Sequence, residues 1–140
     1  MPAKSSTFSN DILNMVFNGI TITGMNSDDP GYLPNLYVSL HTASPGAGNQ
    51  TTNEATYIGY QRIAVSKAGG WTVGSNSASP TSTIVFPIAV SGTEVESYFA
   101  IGTDATGTGK ILYFGAISPT ISVAAGITPQ ITSASTITEA

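Results

Sequence analysis

LYVSLHT, residues 36–42, sets Leu36, Val38 and Leu40 against Tyr37, Ser39 and His41 in strict alternation. A two-residue repeat places one set on each side of an extended chain, so the stretch reads as a β-strand and not as a helix. It runs directly into Ala43-Ser44-Pro45-Gly46, whose Pro-Gly pair signals a turn. His41, at its end, is the only histidine in the chain.

Working outward from this strand, six further stretches have the same short, apolar, turn-bounded character. They are YIGYQRIAVS (57–66), GWTVG (70–74), TIVFPIAV (83–90), EVESYFAIGT (94–103), KILYFGAI (110–117) and GITPQITSASTITEA (126–140). Turn clusters separate them at the spacing of a sandwich or barrel, and no strand alternates with a full helix, which argues against a parallel α/β sheet. Pro87 and Pro129 interrupt two of the stretches and cannot donate to a ladder, so an edge or a bulge is expected at each. The fold class that follows is mainly β: a single antiparallel β-sandwich or barrel-like domain of seven or eight short strands, preceded by one amphipathic helix.

The helix is TFSNDILNMVFNGI, residues 7–20. Phe8, Ile12, Leu13, Val16, Phe17 and Ile20 recur at helical spacing and form one apolar stripe. Ser9 or Asn10 would cap its start, and Gly19 its end. A stripe with two phenylalanines must dock on something, either the chain's own sheet or a neighbouring subunit. Residues 1–35, the helix with its Gly-, Pro- and Asp-rich connection, thus precede a β-domain over 36–140, and the whole is expected to be one compact unit.

Charged residues are 9% of the 140, and four basic side chains face eight carboxylates for a net charge of −4. So few Lys and Arg cannot neutralise a run of phosphates, nor dock on an anionic bilayer, so neither nucleic acid nor membrane is an expected partner. Serine, threonine, glycine and alanine fill the surface instead, and such a surface is cheap to desolvate against another protein. There is no cysteine. The opening MPAKSSTFSND lacks the layout of a signal peptide, and no apolar run is long enough to span a bilayer, so assembly in the cytoplasm where the protein is made is expected.

Constellations for chemistry are weak. A metal site at His41 would need further ligands, and the chain has no second His and no Cys. A histidine whose ring bonds a backbone or hydroxyl group is the expected reading. No serine sits in a G-x-S-x-G elbow, and the order of Ser39, His41 and Asp104 by itself proves no triad. Glu94 and Glu96, two apart on a strand, would lie about 7 Å from each other. That overlaps the carboxylate separation of inverting glycosidases, but a solvated strand face is the simpler reading. GTDATGTGK (102–110) lacks the phosphate-loop spacing and reads as a hairpin loop. Tyr57, Tyr60, Trp71, Tyr98, Phe99, Tyr113 and Phe114 are read mostly as core. No catalytic residue, cofactor or metal is expected.

The ordered set LYVSLHTASPG, NQTTNEATYIGYQRIAV, GGWTV, Phe86-Pro87, YFAIGT and GKILYFGAIS, running from Leu36 to near the C-terminus, resembles a family of small tailed-bacteriophage virion structural proteins. Its members are labelled tail-fibre-like or head decoration (cement) proteins. The resemblance implies a virion component and no catalytic residues. Joined to the uncharged surface, it leads to the expectation of a capsid decoration protein that binds outside the major capsid protein lattice and stabilises the head. A tail, collar or fibre-associated protein touching the host surface is the alternative. Expected partners are the major capsid protein and the chain itself, with a homotrimer as the closed oligomer. Candidate contact residues are Phe8, Ile12, Leu13, Val16 and Phe17 on the helix, and Asp28, Asp29 and Tyr32 in the following loop.

Overall fold

The structure, a computed structural model, describes residues 5–22 and 32–139. Asp28 and Asp29, two of the candidate contact residues, lie outside the described residues. Within them the fold is mainly β. One helix, α1 (Ser6–Asn18), is followed by β1 (Asn35–His41), β2 (Ile63–Ser66), β3 (Trp71–Gly74), β4 (Ser77–Pro80) and β5 (Ile84–Val85). The chain continues through β6 (Glu94–Gly102), β7 (Ile111–Val123), β8 (Gln130–Ile131) and β9 (Ile137–Thr138). The strands make a four-stranded sheet in the order β2-β1-β6-β7, a three-stranded sheet β3-β4-β9 and the pair β5-β8. The architecture is antiparallel and consistent with the expected β-sandwich.

The chain divides into two compact units. One unit takes Met1–Asn35, Val65–Thr83 and Thr132–Ala140; the other takes Leu36–Ala64 and Ile84–Ile131. The helix does not stand apart, because its apolar stripe recruits a hairpin from the middle of the chain.

In the first unit α1 starts within one residue of the expected stretch, but its cap lies one turn earlier than expected. The Ser5 hydroxyl accepts from the Phe8 amide at 3.2 Å, so Ser5 is the N-cap. Ser9 is instead buried inside the helix, and the Asn10 side chain accepts from the Asn76 amide at 2.7 Å. Gly19 closes the helix as expected, with φ at 67° and the Ile20 amide bonded to the Asn14 carbonyl at 3.1 Å. Leu13 and Phe17 are fully buried. The Phe17 ring meets Trp71 of β3 edge-on, with centroids 4.6 Å apart.

The hairpin β3–β4 turns through Ser75 and Asn76, both at positive φ, which is the signature of a two-residue hairpin loop. β4, SASP, has no β-branched or aromatic residue, and no strand was expected there. It forms because Ala78 and Pro80 point inward under the helix while β3 and β9 satisfy its backbone on both sides.

In the second unit β1 pairs with β6 from Tyr37↔Gly102 to His41↔Tyr98. β6 then pairs with β7, with irregularities between Glu96 and Tyr98 and between Ile101 and Gly102. Leu36, Val38 and Leu40 are buried as the alternation predicts, but Ser39 and His41 on the other face are buried too. The two prolines act as expected. β5 and β8 are two-residue strands, and Pro129, lacking an amide proton, contributes only its carbonyl, which accepts from Phe86 at 2.9 Å. Of YIGYQRIAVS only its last four residues form a strand; the rest is loop ordered by side chains.

Candidate functional site

The polar residues that drew attention in the sequence converge in the second unit. His41, at the end of β1, is fully buried. Its Nδ1 lies 2.8 Å from the Thr52 carbonyl, which can only accept, so Nδ1 carries the proton. Nε2 is then free to accept from the Ser39 hydroxyl at 2.9 Å. Burial pushes the His41 ring below its ordinary value, against the opposing pull of the Thr52 carbonyl and of Glu54. Ser39 and His41 thus stand at the distance of a nucleophile–base pair, yet both are fully buried and the third position is a neutral carbonyl. No substrate can reach the Ser39 oxygen. The pair pins the loop that follows β1, as expected of a histidine bonded to backbone and hydroxyl groups.

Next to it, Arg62 grips Glu54 through two parallel bonds, Nε to Oε1 at 2.6 Å and a terminal nitrogen to Oε2 at 2.8 Å. The Tyr60 hydroxyl donates to the same Oε1 at 2.8 Å and receives the Leu40 amide at 3.2 Å. Arg62 reaches on to the carbonyls of Asp104 at 2.9 Å and Gly107 at 2.7 Å. Bidentate pairing of this kind uses the flat guanidinium as a bracket. The Glu54 carboxylate raises the Arg62 guanidinium further above its already high value. Burial, chiefly, and the facing Glu54 raise the Tyr60 hydroxyl far above its ordinary value.

Gln50 completes the bracket. Its fully buried amide donates to the Asp104 carbonyl at 3.2 Å and accepts from the Asp104 amide at 3.0 Å, while its own backbone amide bonds Thr108 at 2.7 Å. A Cβ at Gly109, where φ is 51°, would collide with this amide, so glycine is required there on two counts. The loop 102–110 is therefore a hairpin loop between β6 and β7, tied down by Gln50 and Arg62. An open cleft beside it is lined by Thr51, Glu54, Tyr60, Gln61, Arg62 and Thr106 among others. The charged groups in that cleft already spend their bonds on one another.

Glu94 and Glu96 depart from the sequence reading. They share a face of β6 as expected, but that face is turned inward: Glu96 is fully buried and Glu94 half-buried, while Val95 between them is exposed. The expected solvated face is on the opposite side. Glu94 accepts the amides of Thr56 at 2.9 Å and Tyr57 at 3.1 Å, and the Thr56 hydroxyl at 3.1 Å. These bonds and the neighbouring Glu96 carboxyl hold Glu94 below its ordinary value in spite of its burial. Glu96 approaches Glu94 without a hydrogen bond of good geometry to any described group. Burial first, and the adjacent Glu94 second, push Glu96 up to about 8, so it holds a proton at neutral pH. Glu94 acts as a clasp on the 56–57 backbone and Glu96 as its neutral neighbour. Among the described residues no cluster of three acidic or imidazole groups converges as a metal site would require.

The helix candidates separate. Leu13 and Phe17, expected as contacts for a partner, are instead packed into the chain's own unit, since the stripe needs the β3–β4 hairpin to leave water. Ile12 and Val16 are half-buried, and Phe8 is exposed. Tyr32 is exposed, with Lys67 Nζ 4.8 Å above its ring and its hydroxyl over Gly19. Of the aromatics read as core, Tyr57 and Trp71 are buried, Tyr60, Tyr98, Phe99 and Tyr113 are half-buried, and Phe114 is exposed. The Gln50–Glu54–Tyr60–Arg62 bracket was missed. Its one sequence signal was the lone arginine of the chain, set in an otherwise uncharged stretch.

A mainly β chain with few charged residues, in which Glu54, Arg62 and Glu94 hold loops in place, has the character of a structural component. Comparison with known protein families assigns it. The family model described as podophage GP4 fiber I protein gp80 matches residues 3–138, nearly the whole chain. The chain belongs to this family of phage structural proteins, labelled tail-fibre-like. That label supports the fibre-associated alternative better than decoration of the head. No curated protein matches the sequence. Membership suggests the virion as the location, and no helix among the described residues is long and apolar enough to cross a membrane.

Proposed function

We propose that this chain is a non-enzymatic building block of a podophage tail fibre, acting through contacts with copies of itself and with neighbouring virion proteins. The observation that carries the reading is the fibre-protein family match across residues 3–138. The molecule is suited to the task. Its loops are held by a bidentate ion pair and a buried glutamine, and a fibre module must keep its shape under load. Its surface carries few ions to strip of water when subunits meet. The partners are proteins of the virion, and neither nucleic acid nor membrane is among them.

Gold labelling of an epitope-tagged chain on intact particles tests the reading. Gold at the tail is the expected result; gold spread over the head would overturn it and return the decoration role.

A further inference from the structure

The second unit holds a carboxyl group that its surroundings leave unsatisfied. Glu96 is fully buried on β6, and neither of its oxygens has a hydrogen-bond partner of good geometry among the described groups. A carboxylate so placed would lose the water that stabilises its charge and gain nothing in return, so Glu96 is at rest only as the neutral acid. Glu94 stands on the same face of the strand and is well partnered. It accepts from the Thr56 amide at 2.9 Å, the Thr56 hydroxyl at 3.1 Å and the Tyr57 amide at 3.1 Å. The two carboxyl groups lie within reach of each other. No positive charge relieves them. Val123 and Ile121 are opposite the two glutamates on β7, and neither 119–123 nor 84–93 contains an ionisable side chain. The Tyr57 hydroxyl is pushed up to about 12, by burial first and then by both glutamates, so it stays protonated. His41, at the end of β1, interacts with Glu54 and Arg62 instead.

We propose that Glu94 and Glu96 form a proton-held clasp, which grips the 56–57 backbone while Glu96 is neutral and releases that segment locally when the proton is lost. Both states follow from the geometry. With Glu96 neutral, the Glu94 charge is free to hold Thr56 and Tyr57. With both ionised, two carboxylates share one dry face of β6 and repel each other. Glu94 is the one with a way out, because it is half-buried and Glu96 is enclosed. As Glu94 turns towards water it drops the three bonds to the segment, and the Glu96 proton passes to solvent. β6 stays in place through its ladders to β1 and β7, which confines the release to the segment. In the closed clasp burial first, and Glu94 second, let Glu96 keep its proton up to about 8, against 4.5 for a solvated carboxyl. Opening therefore grows as pH rises towards 8 and levels off above it. The device lies within the second unit and is independent of where the chain sits on the virion.

The experiment is amide hydrogen exchange of the purified full chain between pH 6.5 and 8, a window above the ordinary value of His41. Each rate is divided by that of an unstructured peptide at the same pH, which gives a protection factor. The Thr56 and Tyr57 amides should be less protected than the slowest amides of the β1–β6 ladder, as local opening requires. Their protection should fall about tenfold or more across the window. The Asp104 amide, which bonds Gln50, should not respond. Glu96→Gln and Glu96→Leu both remove the ionisation and should make protection at Thr56 and Tyr57 independent of pH; two variants guard against one misfolding. Glu94→Ala removes the acceptor and should leave both amides poorly protected already at pH 6.5. Four results would each overturn the proposal. They are parent protection that ignores pH, Thr56 and Tyr57 as protected as the β1–β6 ladder or matched by Asp104 in their response, a pH response that survives in the Glu96 variants, and full protection in Glu94→Ala.

Discussion

Two glutamates of the second unit, Glu54 half-buried and Glu96 fully buried, meet opposite fates. Glu54 has every oxygen engaged, by Arg62 on both and Tyr60 on one. Glu96 is fully buried and has no partner of good geometry among the described groups. The first is a charged bracket that fixes loops, and the second survives burial only by keeping its proton. Burying a charge is costly unless it is paired and hydrogen-bonded. The chain solves that problem once by pairing and once by neutralisation.

The contrast predicts its own largest disruption. Arg62→Ala leaves the Glu54 carboxylate with Tyr60 alone and removes the bonds to the Asp104 and Gly107 carbonyls, so that Gln50 alone holds the 103–110 loop. A loss of about 3 kcal/mol is expected in denaturant unfolding, with a shifted midpoint and an unchanged slope. A loss under about 1 kcal/mol would show that the pair behaves as an ordinary surface ion pair.

Glu96 should reveal itself through pH. Its folded value of about 8 lies above its ordinary 4.5, so the folded state binds the proton more tightly than the unfolded state. Stability is therefore greatest below pH 4.5 as far as this group is concerned, and falls as pH rises towards 8. His41 acts in the opposite sense: its ring is lowered from 6.5, so its contribution is complete above pH 6.5 and is lost below it. Glu94, held below 4.5, is fully favourable throughout this window. The Glu96 effect is thus cleanest between pH 6.5 and 8. There unfolding free energy should fall by up to about 1.4 kcal/mol per pH unit, and Glu96→Gln should flatten the slope. An unchanged slope in that variant would sink the assignment.

Gln50→Ala is the next smaller effect. It strands the Asp104 amide and leaves the Asp104 carbonyl to Arg62 alone, for an expected loss of about 2 kcal/mol. Amide exchange at Asp104 should accelerate with it, while exchange at the Thr56 and Tyr57 amides, held by Glu94, should not. The smallest effect is at Asn10, whose side chain holds the Asn76 amide. Asn10→Ala should lower stability by about 1 kcal/mol, measured as a small drop in melting temperature.

The contrast between the glutamates also explains what was legible beforehand. Alternation in LYVSLHT located β1, and the stripe from Phe8 to Phe17 located α1, because burial imposes a period on each. β4 was invisible, since Ser-Ala-Ser-Pro is a strand only through its neighbours. The outward and inward faces of β6 were misjudged for a related reason: Glu-Val-Glu suggests glutamates in water, and the tertiary contacts at Thr56 and Tyr57 turned them inward. His41 could be read as a bonded histidine because a lone imidazole without ligands has few alternatives. The bracket around Arg62 could not, because Gln50, Glu54 and the Asp104 backbone come together only in the folded chain. Sequence resemblance pointed to the virion, and the family match moved the reading from head to fibre.

The most direct test of the fibre assignment is the number of copies per particle, measured by quantitative mass spectrometry of purified virions against the major capsid protein. A fibre component is predicted at a small fraction of the capsid protein, set by the symmetry of the tail. A count approaching the capsid protein itself would place the chain across the head lattice and contradict the account.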